Sequence, residues 1–166
     1  KVFRAAIYPI NSNDPTFYAP NGQAMKKAFL RAPVKFSRIS SRFNLKRRHP
    51  ILNKIRTHNG VDYAAALGTP VRATSEGKVK SIGWNGGYGK TIVLAHGHRY
   101  STLYAHLGRY NRKLKVGSHV SQGRIIGYVG KTGLATGPHL HYEFRVNGKH
   151  KNPLTVEFPP AEPIAD

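Results

Sequence analysis

Two motifs stand out among the nine histidines of this 166-residue sequence. His58 and Asp62 form an H-x-x-x-D pattern, and His139 and His141 form an H-x-H pattern. Side chains alternate between the faces of a β-strand, so the two H-x-H histidines would project from one face about 7 Å apart. Three nitrogen or oxygen ligands with an open fourth position make a catalytic zinc site. His58, Asp62 and one H-x-H histidine supply such a set, so the sequence predicts a hydrolytic metal centre.

Asp62 strengthens the metal interpretation because carboxylates are scarce around it. Residues 51–151 contain three acidic side chains, in a chain whose formal net charge is +20. A carboxylate four residues from a histidine, in so basic a segment, favours a metal ligand. The alternative interpretation of Asp62 is an ordinary ion pair with an arginine.

Glu143 lies on the predicted strand face that carries the H-x-H histidines. Two interpretations remain open: Glu143 orients a metal-bound histidine, or it is an exposed partner of Arg145 or another basic residue. The segment 86–89, Gly-Gly-Tyr-Gly, shapes a groove wall or forms a tight hairpin. The histidines without a comparable context are predicted to lie at the surface: His49, His96, His98, His119 and His150.

Short β-branched and aromatic runs between glycine-rich turns must position these motifs. They predict a mainly β fold with little helix: a compact antiparallel β-sheet domain that is sandwich-like or barrel-like. The main strands are expected at 71–73, 77–82, 91–95, 100–106, 124–129 and 140–146. The basic run 46–48 is expected in a loop. The predicted organisation is a lead-in of strands and one short helix over 1–32, a main domain over 33–158 and an extended tail over 159–166.

Composition narrows the function classes. The absence of cysteine excludes disulfide scaffolds, cysteine-ligated zinc fingers and thiol nucleophiles. The positive charge favours an anionic partner, either nucleic acid, a membrane surface or an acidic wall polymer. We expect no nucleic-acid partner, because a recognition helix, an RNP-like aromatic pattern and a Cys/His finger are all missing. No apolar run approaches the ~18 residues of a membrane helix. The sequence does not begin with methionine, which leaves open an upstream leader, anchor or regulatory domain.

Several motifs in order resemble the M23 metallopeptidases, the lysostaphin/LytM-like family that cleaves peptides in bacterial peptidoglycan. The resemblance covers about residues 33–153, and its motifs lie at 58–65, 68–71, 77–79, 87–89, 104–107 and 137–141. Residues 22–34 and 38–43 further resemble the Gram-negative periplasmic branch, which contains murein DD-endopeptidases.

The resemblance implies a Zn²⁺ cofactor held by His58, Asp62 and His141. It also implies that His106 and His139 are catalytic histidines that do not bind the metal, and it leaves open which of them is the base. A metal-activated water would be the nucleophile, and the expected substrate is the D-Ala–meso-diaminopimelate crosslink of peptidoglycan. The expected location is the periplasm or cell envelope of a Gram-negative bacterium. The alternative is a catalytically silent LytM-like module that binds the wall or regulates other wall hydrolases.

Overall fold

The computed structural model describes residues 6–7, 17–18, 29–36, 38–48 and 55–156. Within these residues the regular structure is almost entirely β-strand, with one 3-10 turn at Gly86–Tyr88. The strands, in chain order, are β1 (Ala6–Ile7), β2 (Phe17–Tyr18), β3 (Arg38–Ser41), β4 (Asn44–Arg48), β5 (Ile55–His58), β6 (Val61–Ala64), β7 (Pro70–Arg72), β8 (Gly77–Trp84), β9 (Lys90–His96), β10 (Tyr100–Tyr110), β11 (His119–Val120), β12 (Ile125–Val129), β13 (His139–Val146) and β14 (Lys149–Lys151).

Ten of these strands form one antiparallel sheet. Its main path runs β11-β8-β9-β10-β13-β6-β3, while β14 pairs with β13, and β12 pairs with both β10 and β7. Two separate two-stranded sheets join β1 to β2 and β4 to β5. The mainly β, antiparallel fold with little helix is therefore confirmed.

The central strands β10 and β13 bury both of their faces, but with different contents. One face carries Tyr104, Leu140 and Tyr142, all fully buried in the main hydrophobic core. The burial of each such large side chain contributes about 1.5–3 kcal/mol. The opposite face carries a smaller apolar cluster around Leu103 and Ala105, and it also carries the H-x-H histidines. The main core thus supports the strands from behind the histidines.

The expected strands from residue 71 onward are confirmed, each to within a few residues. The prediction that 46–48 form a loop is wrong, because these residues lie in β4, where Arg47 pairs with Arg56 of β5. Backbone pairing with the next strand along the chain overrides the low strand propensity of a basic run.

Most of the lead-in, in which a short helix is predicted, lies outside the described residues, and the tail at 159–166 lies wholly outside them. The division of the chain into lead-in, main domain and tail therefore stays a prediction. The described part contains no helix with the length and apolarity needed to cross a lipid bilayer.

Candidate metal centre

A tight turn between β5 and β6 brings His58 and Asp62 together. His58 ends β5, Asp62 is the second residue of β6, and Gly60 lies in the turn between them. A Cβ atom on Gly60 would lie 2.3 Å from the carbonyl oxygen of Tyr142, so only glycine lets this turn press against β13. In the β6–β13 register Asp62 stands opposite His141. Two sequence-distant motifs thereby meet at one point of the sheet.

The group formed by His58, Asp62 and His141 has the geometry of a metal site. One ligand atom from each residue lies within 4.8 Å of the others. His141 Nδ1 lies 2.7 Å from Asp62 Oδ1, and His58 Nε2 lies 3.2 Å from Asp62 Oδ2. These are the three ligands that the resemblance implies, and the structure brings them together. His141 lies closer to the Asp62 carboxylate than His139 does, at 2.7 Å against 3.8 Å.

The nitrogen of His58 that faces the group is unpaired. His58 Nδ1 donates a hydrogen bond to the Arg42 carbonyl oxygen at 2.7 Å, so Nε2 carries the lone pair when the ring is neutral. Among the described residues this buried Nε2 has no hydrogen-bond partner. With the ring neutral, its approach to Asp62 joins two electron-pair donors, which a divalent cation between them would stabilise. The residues present fit a zinc ion.

Glu143 holds the other side of His141. Its Oε2 lies 2.8 Å from His141 Nε2, and its side chain is fully buried. Its Oε1 accepts hydrogen bonds from Arg145 Nη2 at 2.7 Å and from His150 Nε2 at 3.0 Å. Glu143 is therefore not exposed, as one of the two interpretations had it, although it does pair with Arg145.

Tyr88 is a site residue that sequence reasoning did not select. Its hydroxyl donates a hydrogen bond to Glu143 Oε2 at 2.5 Å. Its ring stacks on His141, with 5.5 Å between the ring centroids and an interplanar angle of 29°. The signal in the sequence was the Gly-Gly-Tyr-Gly segment, for which a groove wall was one of two open interpretations.

A β-bulge aims His106 at the same point. The pairing of β10 shifts between Tyr104 and Leu107 relative to β9, and His106 has a φ of 60°. A bulge of this kind redirects a side chain. His106 therefore approaches His139, with 4.7 Å between their ring centroids, and approaches His141 at 6.0 Å.

Backbone carbonyl groups fix the ring orientation of His106 and His139. His106 Nδ1 donates to the Thr132 carbonyl oxygen at 2.7 Å, and His139 Nδ1 donates to that of Gly137 at 2.8 Å. A carbonyl oxygen only accepts, so the proton of each neutral ring lies on Nδ1 and the lone pair on Nε2. His139 Nε2 lies 3.8 Å from Asp62 Oδ1, beside the metal-binding group.

The loop that carries Thr132 is packed directly onto the turn that carries Tyr88. Thr132 Oγ1 donates to the Leu107 carbonyl oxygen and accepts from the Lys90 backbone N–H. A Cβ atom on Gly133 would lie 2.4 Å from the Gly87 carbonyl oxygen, so the two backbones meet without an intervening side chain. This close packing makes one continuous wall beside His106.

Burial and hydrogen bonds shift the pKa values of three side chains at the site. Burial would raise the pKa of Asp62, but contacts with His141 and His58 outweigh burial and hold that pKa well below its ordinary value. Burial would lower the pKa of His141, but hydrogen bonds with Asp62 and Glu143 raise it to about 9. Burial lowers the pKa of His106 to about 4, against the hydrogen bond to Thr132. His106 is therefore neutral at physiological pH.

His96 corrects one sequence prediction. It was expected at the surface, but it is buried, with Nδ1 at 2.7 Å from the Glu76 carbonyl oxygen and Nε2 at 2.7 Å from Thr102 Oγ1. His98 and His119 are exposed as expected, whereas His150 is partly buried against Glu143. His49 lies outside the described residues.

A largely buried His/Asp/His group with two further histidines beside it, on one face of an antiparallel sheet, defines a metallohydrolase type of site. Comparison with known proteins agrees, since the model of peptidase family M23 matches residues 56–153. The chain belongs to peptidase family M23.

A peptidoglycan endopeptidase is similar to most of this chain. This chain is 48% identical over 155 residues to the peptidoglycan DD-endopeptidase ShyC of Vibrio cholerae. The alignment covers 93% of this chain and 35% of the relative. The chain thus spans about a third of the length of that protein.

Solved structures share the fold. A zinc-containing peptidase from Vibrio cholerae superposes with a TM-score of 0.74 and 34% identity, over 95% of this chain and 47% of that chain. The catalytic domain of lysostaphin from Staphylococcus simulans superposes with a TM-score of 0.62 and 34% identity, over 70% of this chain and 89% of that domain.

Proposed function

We propose that this chain is a zinc-dependent endopeptidase domain that hydrolyses peptide crosslinks of bacterial peptidoglycan. The observation that carries the proposal is the convergence of His58, Asp62 and His141, with the buried His58 Nε2 unpaired. Membership of peptidase family M23 supports the peptidase chemistry.

In this proposal His58 Nε2, Asp62 and His141 Nδ1 hold the metal. A bound zinc ion supplies Lewis acidity, which polarises a carbonyl group and lowers the pKa of a coordinated water to about 7. The Asp62 carboxylate stays ionised because of the histidines that flank it. On the side away from the metal, the Glu143 carboxylate accepts a hydrogen bond from His141 Nε2, and the Arg42 carbonyl oxygen accepts one from His58 Nδ1.

The proposed proton carriers are His106 and His139. Each has its Nδ1 proton held by a backbone carbonyl group, which turns Nε2 towards the reacting atoms. Burial lowers the pKa of His106 and so keeps its ring neutral, which leaves the Nε2 lone pair free to accept a proton. A histidine that has gained a proton can stabilise the developing oxyanion or donate that proton to the departing amine.

The proposed substrate is the D-Ala–meso-diaminopimelate crosslink. The similarity to a peptidoglycan DD-endopeptidase supports it. A net charge of +20 also supports it, since the stem peptides of the wall carry carboxylates that attract a basic protein. The proposed location, the periplasm or cell envelope of a Gram-negative bacterium, is where this polymer lies. Activity on whole sacculi is then expected to fall as the salt concentration rises.

A defined crosslinked muropeptide dimer tests the proposal. The chain is incubated with the dimer with and without a chelator, and the products are identified by mass spectrometry. We expect the two monomers from a cut at the D-Ala–diaminopimelate bond, and no product with the chelator or with His139→Ala. A folded, zinc-loaded chain that leaves the dimer intact would instead indicate a catalytically silent wall-binding or regulatory module.

A further inference from the structure

The carboxylate of Glu143 is divided between two environments. Its Oε2 faces the metal-binding group, where it meets the His141 ring N–H and the Tyr88 hydroxyl. Its Oε1 faces away, where it meets Arg145 and His150. The side chain is fully buried, so protein groups rather than solvent satisfy both oxygens.

The outward oxygen makes a buried anion tolerable at this position. An unpaired buried carboxylate is costly, and pairing together with hydrogen bonds offsets much of that cost. Arg145 contacts Oε1 through both Nε, at 3.2 Å, and Nη2, at 2.7 Å, and His150 adds a third contact. These contacts bear on the stability of the anion and leave Oε2 available to the site.

The inward oxygen determines which nitrogen of His141 faces the metal-binding group. Because a carboxylate oxygen only accepts, Oε2 of Glu143 keeps a proton on His141 Nε2, and this contact leaves Nδ1 as the nitrogen that faces Asp62. Glu143 and His141 are two residues apart on β13, so both side chains lie on one face and the contact is short. The ring of His141 is thus held at both nitrogens.

The same inward oxygen ties Tyr88 into the arrangement. The Tyr88 ring lies against the ring of His141, while its hydroxyl is bonded to the atom that holds His141 Nε2. Rotation of the His141 ring would break the bond to Glu143 and disturb this stacking at once. Two contacts from different directions therefore restrict one rotation.

From these contacts we infer that Glu143 is a positioning residue for the metal site. It acts through His141, and Tyr88 supports the arrangement by contacting both residues. This inference rests on the zinc site of the proposed function and adds a residue beyond its ligands. The competing explanation is that Glu143 only neutralises Arg145 and His150. Carboxylates that hold a metal-bound histidine typically change metal affinity by about 10- to 100-fold.

The test measures zinc affinity of the 166-residue chain by competition with a chelating dye. Glu143→Gln removes the charge and leaves an amide that cannot accept at both ends, whereas Arg145→Gln disturbs Oε1 alone. We expect Glu143→Gln to weaken zinc binding by about 10- to 100-fold. Arg145→Gln is expected to lower the melting temperature and to leave zinc binding unchanged. With zinc in excess, Glu143→Gln is expected to lower kcat and leave KM unchanged.

If Glu143→Gln does not fold, Glu143→Asp replaces it, because this variant keeps the charge but is too short to span both His141 and Arg145. A folded variant at position 143 with unchanged zinc affinity would overturn the inference. Equal losses of zinc affinity in the variants at 143 and 145 would overturn it as well, since they indicate general destabilisation. An unsubstituted chain that binds no zinc would overturn the proposed function itself, and with it this inference.

Discussion

His58 and His96 are both buried and both bonded through Nδ1, but they differ at Nε2. Each donates its Nδ1 proton to a backbone carbonyl oxygen 2.7 Å away, that of Arg42 for His58 and that of Glu76 for His96. His96 Nε2 then meets a hydroxyl, Thr102 Oγ1, at 2.7 Å. His58 Nε2 meets no donor and lies near a carboxylate oxygen instead.

The surroundings of His96 explain why it is structural. Thr102 lies 2.8 Å from the Tyr104 hydroxyl, which in turn contacts Thr74, and Thr74 contacts Tyr142. Each hydroxyl group in this buried chain thus has a hydrogen-bond partner. A buried histidine with both nitrogens paired supports the fold, whereas one with a nitrogen unpaired beside a carboxylate indicates a site for a cation.

The largest expected effect is that of His58→Ala. Loss of this ligand is expected to reduce bound zinc from one ion per chain to near zero, and crosslink cleavage to background. The measurement is zinc by mass spectrometry together with cleavage of the muropeptide dimer. His96→Ala is the matched control, expected to keep its zinc wherever it folds. Full zinc occupancy in His58→Ala would contradict the assignment of His58 as a ligand.

The next largest effect separates ligands from proton carriers. His106→Ala and His139→Ala are each expected to lower kcat by about 10²–10⁴-fold, the usual contribution of general acid–base catalysis. Zinc content should stay at the wild-type level, because neither ring belongs to the proposed ligand group. Steady-state kinetics and metal analysis on the same preparations check this. Loss of zinc in either variant would place that histidine among the ligands.

Gly60→Ala is expected to damage the site through the backbone. The new methyl group would overlap the Tyr142 carbonyl oxygen, so the β5–β6 turn must move, at a cost of about 1–3 kcal/mol. Zinc binding should weaken as well, since this turn positions both His58 and Asp62. Gly137→Ala is the control, because a Cβ atom there meets open space. Urea unfolding and zinc titration that do not distinguish the two variants would refute this role of Gly60.

His96→Gln gives the smallest expected effect, a loss of about 1–2 kcal/mol in unfolding free energy with activity retained. Burial lowers the pKa of His96 below its ordinary value, so below pH ~6.5 the unfolded chain binds the extra proton. The wild type therefore loses this contribution as the pH falls from 7 to 5. The stability gap to His96→Gln should narrow over that range in urea unfolding. A gap that widens would contradict a neutral buried His96.

The sequence predicts the parts of this site that depend on short spacing. Strand alternation places His139 and His141 on one face, and the H-x-x-x-D pattern places Asp62 near His58. The main strands follow from β-branched runs between glycines. These features are local, so a single segment carries the whole signal.

The remaining features depend on contacts between distant segments. Tyr88 and Glu143 are 55 residues apart, and His106 and Thr132 are 26 apart. The bulge that turns His106 and the core position of His96 likewise arise from how strands pair, which spacing along one segment does not encode. The burial of Glu143, against one of its two interpretations, belongs to this group.

X-ray absorption at the zinc edge of the zinc-loaded chain tests the central claim most directly, namely that the unpaired nitrogen of His58 and its neighbours form a zinc site. The predicted spectrum has nitrogen and oxygen ligands at about 2.0–2.2 Å with the outer scattering of two imidazole rings. His58→Ala should remove one ring's contribution or the zinc itself, and His96→Ala should leave the spectrum unchanged. A spectrum without imidazole scattering, or one that His58→Ala does not alter, would contradict the account.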